Sequence, residues 1–452
     1  MESKKSSFSS KIGFVLAAAG SAVGLGNIWR FPYLAAKYGG GMFLLVYLVL
    51  AVTFGFALMI TEIAIGRKTG KSVIGAYSVI NKKFGPLGIL AAAVPAIIFP
   101  YYCVIGGWVM KYVMVYITDA GAEAAVNNKD FSYFGNFTAN TGESVIFFLL
   151  FIIITAVIVM LGVEKGIEKV SKIMMPVLVV ISLFVAIYSL TIPGAIDGLI
   201  YYVKPNFEDF GLETVVAAMG QLFYSMSLAM GIMITYGSYM RKEDNLEGSV
   251  RQIEVFDTAI AFLSGMMIVP AVFAFSGGDP TKINAGPGLM FQTLPQVFEF
   301  MEGGRFIGLI FFVLVFLAAL TSSISLMETI VSVVMEKFRV KRIPACLIVI
   351  VFSLAMGMLS VLGFGVWSGV KPFGKDDILT FFDFLSNNIM MPIVALITCI
   401  LIGWIAKTKY VEDEVQLGSA FKSKKLYRVM IKFVCPVFMV IIFLSSVFGF
   451  AG

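Results

Sequence analysis

Apolar residues in this chain gather in long blocks, without the strict alternation of a half-buried strand or the narrow stripe of a surface helix. Blocks of about 20 residues, the length a helix needs to cross the hydrocarbon of a bilayer, occur eleven times: 12–36, 41–66, 88–118, 145–162, 167–191, 213–237, 253–275, 306–335, 344–364, 378–405 and 430–450. The pattern predicts an all-α membrane protein of eleven spans. Two blocks are interrupted in the same manner. Span one carries GSAVGLGNIWRFP (20–32), with three glycines, an asparagine, an arginine and a proline through its middle; span six carries GQLFYSMSLAMG (220–231), polar at Gln221, Ser225 and Ser227. Relative to Ala, Gly disfavours helix by about 1 kcal/mol and Pro by about 3, so neither run is expected to remain one straight helix. Backbone that unwinds at membrane depth is tolerated only where protein or a water-filled cavity surrounds it. The two breaks therefore mark a candidate site.

The breaks lie five spans apart. Transporters assembled from two inverted repeats place a discontinuous helix at the matching point of each, and the breaks meet near the bilayer midplane. The expected organisation is a cytosolic tail (1–11), a first five-helix repeat (12–191), an extracellular connection (192–212), a second repeat (213–405), a cytosolic loop (406–429), and an eleventh span with an extracellular C-terminus (430–452). Taken alone, the small residues of span six would equally serve close helix packing. Asn27 and Arg30 make that explanation poor for span one.

Composition agrees with a multi-pass membrane protein. Of 452 residues, 59% are hydrophobic and 14% charged, and the mean hydropathy is +0.92. The net charge of +6 does not indicate nucleic acid, because basic residues fall in alternate loops. Lys4, Lys5 and Lys11 precede span one; Arg67, Lys68, Lys71, Lys82 and Lys83 follow span two; further clusters follow spans four, six, eight and ten. The positive-inside rule then puts the N-terminus in the cytosol and, after eleven spans, the C-terminus outside the plasma (inner) membrane. The opening MESKKSSFSS is polar, and no small-residue cleavage site follows it, so the first span is read as retained. There is no His, which removes the usual metal ligand, general base and near-neutral proton relay. With no nucleophile–base pair visible either, an enzyme is not expected. Cys103, Cys346, Cys399 and Cys435 all fall in spans and read as packing residues rather than bridge partners.

At this point the residues become family-specific. AAAGSAVGLGNIWRFP (17–32) closely resembles the first helix of the neurotransmitter:sodium symporters, and the likeness continues through GGG (39–41), ITEIAIGR (60–67), YYCVIGGW (101–108), GIEKVSKIMMP (166–176), GQLFYSMSLAMGIMITYGSYMRK (220–242), LTSSISLME (320–328) and the DF of span ten (383–384). Eleven spans match a bacterial branch of that family. The resemblance implies a LeuT-like fold, two inverted five-helix repeats plus an eleventh helix with helices one and six unwound, and sodium-coupled uptake of an amino acid by alternating access.

It also implies a site. The substrate carboxylate is expected at the amides of Leu25 and Gly26 and the hydroxyl of Tyr102, and its ammonium at the carbonyls of Ala22 and Tyr224 and the region of Ser225. The alternative reading of Tyr102 by itself is an interfacial anchor. Ser21, Ile98, Tyr102, Tyr224, Ser227, Met230, Ser322 and Leu326 are expected around the side chain. Met230 stands where LeuT has Phe, and Met repacks easily, so a neutral, hydrophobic amino acid is expected, aliphatic or aromatic. Two Na⁺ ions are implied. One set comprises Ala22, Asn27, Ser225 and Asp257; the other comprises Gly20, Val23, Ala318, Thr321 and Ser322, although LTSS taken alone reads better as hydroxyls bonding their own helix. Asp257 occupies a position that is Asn in LeuT. It is either a functional intramembrane acid or lies too near the cytosolic end to be buried. Animal relatives use chloride held by groups resembling Tyr47, Gln221 and Ser225, and Asp257 is a candidate for that negative charge. LeuT has its carboxylate one turn later, where Ala261 stands here, so chloride-dependent transport would count against the substitution.

Arg30 and Asp383 resemble the family's outer ion pair, with Tyr102 and Tyr224 as the lid beneath it. Lys5, Glu336 and Tyr239 occupy inner-gate positions, where Lys in place of Arg loses the bidentate fork. Glu62 is expected to hold the loosened backbone of spans one and six. Gly166 and Pro176 resemble a pattern at which span five unwinds, and are equally compatible with a loop-to-helix boundary. An amino-acid sensor or a passive facilitator built on the same site is the alternative function. The partners implied are the amino acid and the lipid bilayer; the sequence does not indicate an oligomeric state.

Overall fold

The computed structural model describes residues 7–126, 132–278, 286–299 and 301–449. Among these, nine helices are long and apolar enough to cross a membrane: Gly41–Thr69, Lys82–Val115, Thr141–Met160, Val163–Ser189, Leu246–Phe275, Gly304–Phe338, Arg342–Phe364, Ile378–Ile405 and Lys424–Phe448. They are spans two to five and seven to eleven. The two absent from this set are the two whose sequence resists a continuous helix. Span one is Lys11–Ala22 followed, across a 53° bend, by Gly26–Lys37. Span six is Leu212–Ser225 and Ile232–Tyr239, with residues 226–231 between them.

Local chemistry explains both breaks. Ser10 caps the start of span one by accepting from the Gly13 amide, and Val23 turns to extended backbone (φ −74°, ψ 102°) to end its first half. Pro32 then sits at the start of the Phe31–Lys37 helix, where its missing N–H does no harm. In span six, Ser227, Ala229 and Gly231 all take left-handed backbone (φ 53°, 59° and 73°). For Ser and Ala that conformation costs roughly 1–2 kcal/mol each, so neighbours must hold it. The Ala229 amide donates to Glu62 Oε1 on span two at 2.6 Å, and Ser227 Oγ donates to the Ser21 carbonyl at 2.9 Å. Glu62 thus bonds to span six; among the described residues it accepts no hydrogen bond from span one, where it was also expected to act, and its Oε2 has no partner.

Spans two and six meet backbone to backbone. A Cβ on Gly66 would lie 1.9 Å from the Ile234 carbonyl oxygen, and one on Gly237 would lie 2.3 Å from that of Ile63. Only Gly permits this approach, the small-residue packing on which helix association in lipid relies.

The structure places helix where the pattern suggested loops. The 192–212 connection contains Ala195–Val203, whose Tyr202 Oη donates to the Phe262 carbonyl (3.0 Å) and whose Tyr201 Oη donates to that of Ala36 (2.7 Å). The 406–429 loop contains Lys409–Val415, and span eleven starts at Lys424 rather than near 430. Buried Glu412 accepts from Arg428 (2.6 and 2.7 Å) and pairs with Lys424 (3.1 Å), so charges that looked like loop are neutralised within a helical cap. The four cysteines are buried and unbridged.

Candidate functional site

The two breaks face each other across a cavity of about 40 Å³. Span one contributes Ser21, Ala22, Leu25 and Gly26 to its walls, span three Ile98 and Tyr102, span six Tyr224, Ser225, Ser227 and Met230, and span eight Ser322 and Leu326. The structure therefore gathers every expected substrate residue into one cavity. Gly24, Asn27 and Ile232 complete the lining.

Several polar groups in this wall are hydrogen-bonded. The Leu25 amide, freed by the break, donates to Tyr102 Oη at 3.4 Å, which puts two groups able to donate to an anion side by side. The Ser21 carbonyl accepts from Ser227 Oγ (2.9 Å) and Ser322 Oγ (3.1 Å), and Ser322 Oγ is also 3.3 Å from the Val23 carbonyl. Ile98, Met230, Ile232 and Leu326 supply apolar surface.

Asp257 lies against this lining and is fully buried, which settles whether it sits too near the helix end to be enclosed. Ser225 Oγ donates to its Oδ1 at 2.7 Å, Asn27 Nδ2 to Oδ1 at 2.8 Å, and Tyr47 Oη to Oδ2 at 3.1 Å. Asn27 also accepts the Gly24 amide at 3.1 Å, so one side chain ties the break in span one to span seven. A buried carboxylate is tolerated only when paired or hydrogen-bonded in this way. Gln221 does not join this group: its Nε2 donates to the Gly26 carbonyl at 3.0 Å.

The second oxygen set is also assembled. Gly20 packs on Thr321, where an added Cβ would stand 3.3 Å from the Thr321 Cβ. Thr321 Oγ1 donates within its own helix to Leu317 (3.1 Å) and Ala318 (3.0 Å), the alternative the sequence left open, while Ser322 crosses to span one. A hydroxyl that donates this way keeps lone pairs for a cation.

A model of the sodium:neurotransmitter symporter family matches residues 5–131 and 128–451, including both breaks and all these residues. The chain belongs to the sodium:neurotransmitter symporter family. Two uncharacterized sodium-dependent transporters are each 34% identical to it: one of Haemophilus influenzae, matched over 98% of this chain and 99% of that protein, and one of Bacillus subtilis, over 99% and 98%. Among solved structures, MhsT in complex with L-phenylalanine aligns with a TM-score of 0.87 at 37% identity, covering 98% of this chain and 99% of MhsT. The symporter thus has the LeuT fold and is a sodium-dependent transporter, not an enzyme.

Beyond one end of this cavity, the symporter has a vestibule of about 560 Å³ that includes Arg30 and Asp383. Tyr102 and Tyr224 line both this vestibule and the inner cavity, and so stand between them. Arg30 and Asp383 do not form the expected ion pair among the described residues. Asp383 Oδ1 instead accepts from Tyr101 Oη (3.1 Å) and Asn387 Nδ2 (2.7 Å), and the Arg30 guanidinium lies 5.4 Å from the centre of the Tyr224 ring.

The residues expected at the inner gate differ from expectation more widely. Lys5 lies outside the described residues. Glu336 accepts the Ser72 amide (2.7 Å) at the start of Val73–Ile80, whereas Tyr239 Oη donates to Glu328 (2.7 Å), which Arg342 also holds at 2.6 and 2.9 Å. Glu336 and Tyr239 therefore serve separate networks rather than one latch. Sequence reasoning gave no role to Phe8, Ser9, Glu168, Glu328 or Arg342. A buried acid in span eight was a usable signal, since an intramembrane charge needs a partner. Gly166 lies in a π-wound first turn of span five, Val163–Glu168, and Pro176 lies inside the helix that follows.

Proposed function

We propose that the symporter takes up neutral, hydrophobic amino acids, aliphatic or aromatic, with two Na⁺ and without chloride. The observation that carries this reading is the cavity between two broken spans, with the Leu25 amide and the Tyr102 hydroxyl side by side in its wall and the buried carboxyl of Asp257 against it. The apolar lining favours a hydrocarbon side chain, and MhsT, a related protein, is seen with L-phenylalanine.

The substrate carboxylate would lie at the amides of Leu25 and Gly26 and at Tyr102 Oη, and its ammonium at the carbonyls of Ala22 and Tyr224. One Na⁺ would be held by the oxygens of Ala22, Asn27, Ser225 and Asp257 together with the substrate carboxylate. Sharing that ligand makes each charge favour binding of the other. The second would be held by Gly20, Val23, Ala318, Thr321 and Ser322, an all-oxygen set suited to a hard cation. Asp257, holding the Tyr47 and Ser225 hydroxyls, supplies from within the protein the negative charge that chloride brings to other members. With the N-terminus cytosolic and the C-terminus outside, each Na⁺ moving inward gains about 2.3 kcal/mol per 100 mV of membrane potential. Tyr102 and Tyr224 would close the cavity from the vestibule while the cytosolic side opens.

Uptake of radiolabelled neutral amino acids into proteoliposomes tests this. Accumulation is expected with an inward Na⁺ gradient, not with Li⁺ or K⁺, and unchanged when gluconate replaces chloride. Sodium-promoted binding without accumulation would make the protein a sensor, uptake only down its own gradient a facilitator, and a chloride requirement would remove the role given to Asp257.

A further inference from the structure

Glu168 is enclosed at the cytosolic end of span five, only 1% exposed, and it belongs to the π-wound turn Val163–Glu168. Its carboxylate accepts from the Ser9 amide (2.7 Å), Ser9 Oγ (2.5 Å) and Ser10 Oγ (3.1 Å), and pairs with Lys172 one turn on (2.7 Å). Three of these four donors belong to the residues that begin span one. The approach is so close that a Cβ on Gly13 would stand 2.0 Å from Glu168 Oε1. Beside it, the Phe8 amide donates to the Tyr239 carbonyl (3.1 Å), and the Phe8 ring packs against Phe14, Tyr236 and Tyr239. The other end of the same Lys11–Ala22 helix carries Gly20 and Ala22 of the sodium sets.

We propose that Glu168 latches the start of span one to the first turn of span five, so that opening that turn and freeing span one on the cytosolic side are a single event. This rests on the symport reading above. Glu168 travels with its turn. When Val163–Glu168 loosens, the Ser9 and Ser10 donors lose the anion that satisfies them, and charge-assisted bonds of this kind are the strong ones. Conversely, while span one is seated, its three donors hold the turn wound. Glu168 is thus a positioning residue, acting on the sodium sites through the helix it anchors.

The test is amide hydrogen exchange on the full-length symporter in lipid nanodiscs, following segments 8–14 and 163–168 with span nine as reference. In Glu168→Gln both segments should exchange faster in step, by roughly tenfold if one charge-assisted bond's worth of protection is lost, while span nine is unchanged. Glu168→Asp should recover part of the protection. Gly13→Ala, which crowds the carboxylate from span one and leaves span five unaltered, should loosen both segments as well. Acceleration of one segment with the other at its wild-type rate, or of neither, would overturn the latch. Sodium-promoted binding of a radiolabelled amino acid is measured on the same samples: its absence from the wild type would overturn the symport reading, whereas its presence with uncoupled exchange would overturn the latch alone.

Discussion

Asp257→Asn is the sharpest perturbation of the sodium site. The wild-type carboxylate accepts from Asn27 (2.8 Å), Ser225 (2.7 Å) and Tyr47 (3.1 Å) with no access to water. Asn keeps the shape, removes the charge and turns one acceptor oxygen into a donor. Three donors then compete for one oxygen, and at least one contact is lost, each bond to a charged group contributing about 1.5–3 kcal/mol. The sodium ion loses its charged ligand as well: even ~5 Å apart, farther than a ligating oxygen stands, unit charges at an effective dielectric of ~20 attract by about 3 kcal/mol, which sets a lower bound. Sodium affinity without chloride should therefore fall by roughly 100-fold. The variant also leaves the Tyr47 and Ser225 hydroxyls ready for an external anion, so chloride should restore about tenfold of the loss. The assay is the Na⁺ dependence of amino-acid binding in NaCl against sodium gluconate. Wild type should give the same curve in both salts, and Asp257→Asn should separate them. A variant that keeps the wild-type sodium dependence in gluconate would refute the reasoning.

Other perturbations test the remaining parts. Tyr102→Phe removes the hydroxyl beside the Leu25 amide; uptake kinetics should show KM raised roughly tenfold or more, with the thermal midpoint little changed. Gly24→Ala places a Cβ 2.7 Å from Ser322 Oγ and 3.2 Å from Tyr102 Oη, and binding should be lost in protein that still purifies as a folded species. Glu62→Gln keeps an acceptor for the Ala229 amide and should be tolerated, whereas Glu62→Leu leaves that buried amide unpaired and should destabilise by about 1–3 kcal/mol in thermal unfolding. In the cap formed by Lys409–Val415 and the start of span eleven, the hydrogen bond from Arg428, assisted by Thr408 and Lys424, holds Glu412 down at about 2 despite its burial. Because this carboxyl is depressed, its stabilisation is complete above its ordinary value of 4.5 and fades as pH falls from there toward 2. Thermal midpoints should drop across that window, and less so in Glu412→Gln.

The cavity residues were legible because the breaks announce themselves and the family motifs run through them: GSAVGLGNIWRFP and GQLFYSMSLAMG hold eight of the residues named for the substrate. The gates were less legible. Arg30 and Asp383 have the right types for an ion pair, yet Tyr101 and Asn387 are nearer partners for the acid. At the inner side, Glu328 was one letter in LTSSISLME and Arg342 only a charge in a cytosolic loop. Nothing in either segment says that the two meet, with Tyr239 on the same carboxylate.

By itself the sequence determined what local chemistry controls. A continuous apolar block of about 20 residues satisfies its backbone in hydrocarbon as a helix, so the eleven spans follow from the blocks, and Gly and Pro resist helix wherever the chain lies, so the break in span one follows from its letters. Tertiary structure alone decided which buried polar atoms meet. The three donors on Asp257 come from positions 230, 210 and 32 residues away, and those on Glu168 from the opposite end of its repeat. No periodicity carries such pairings, because they depend on how closely backbones approach and on which buried charge each donor is left to satisfy.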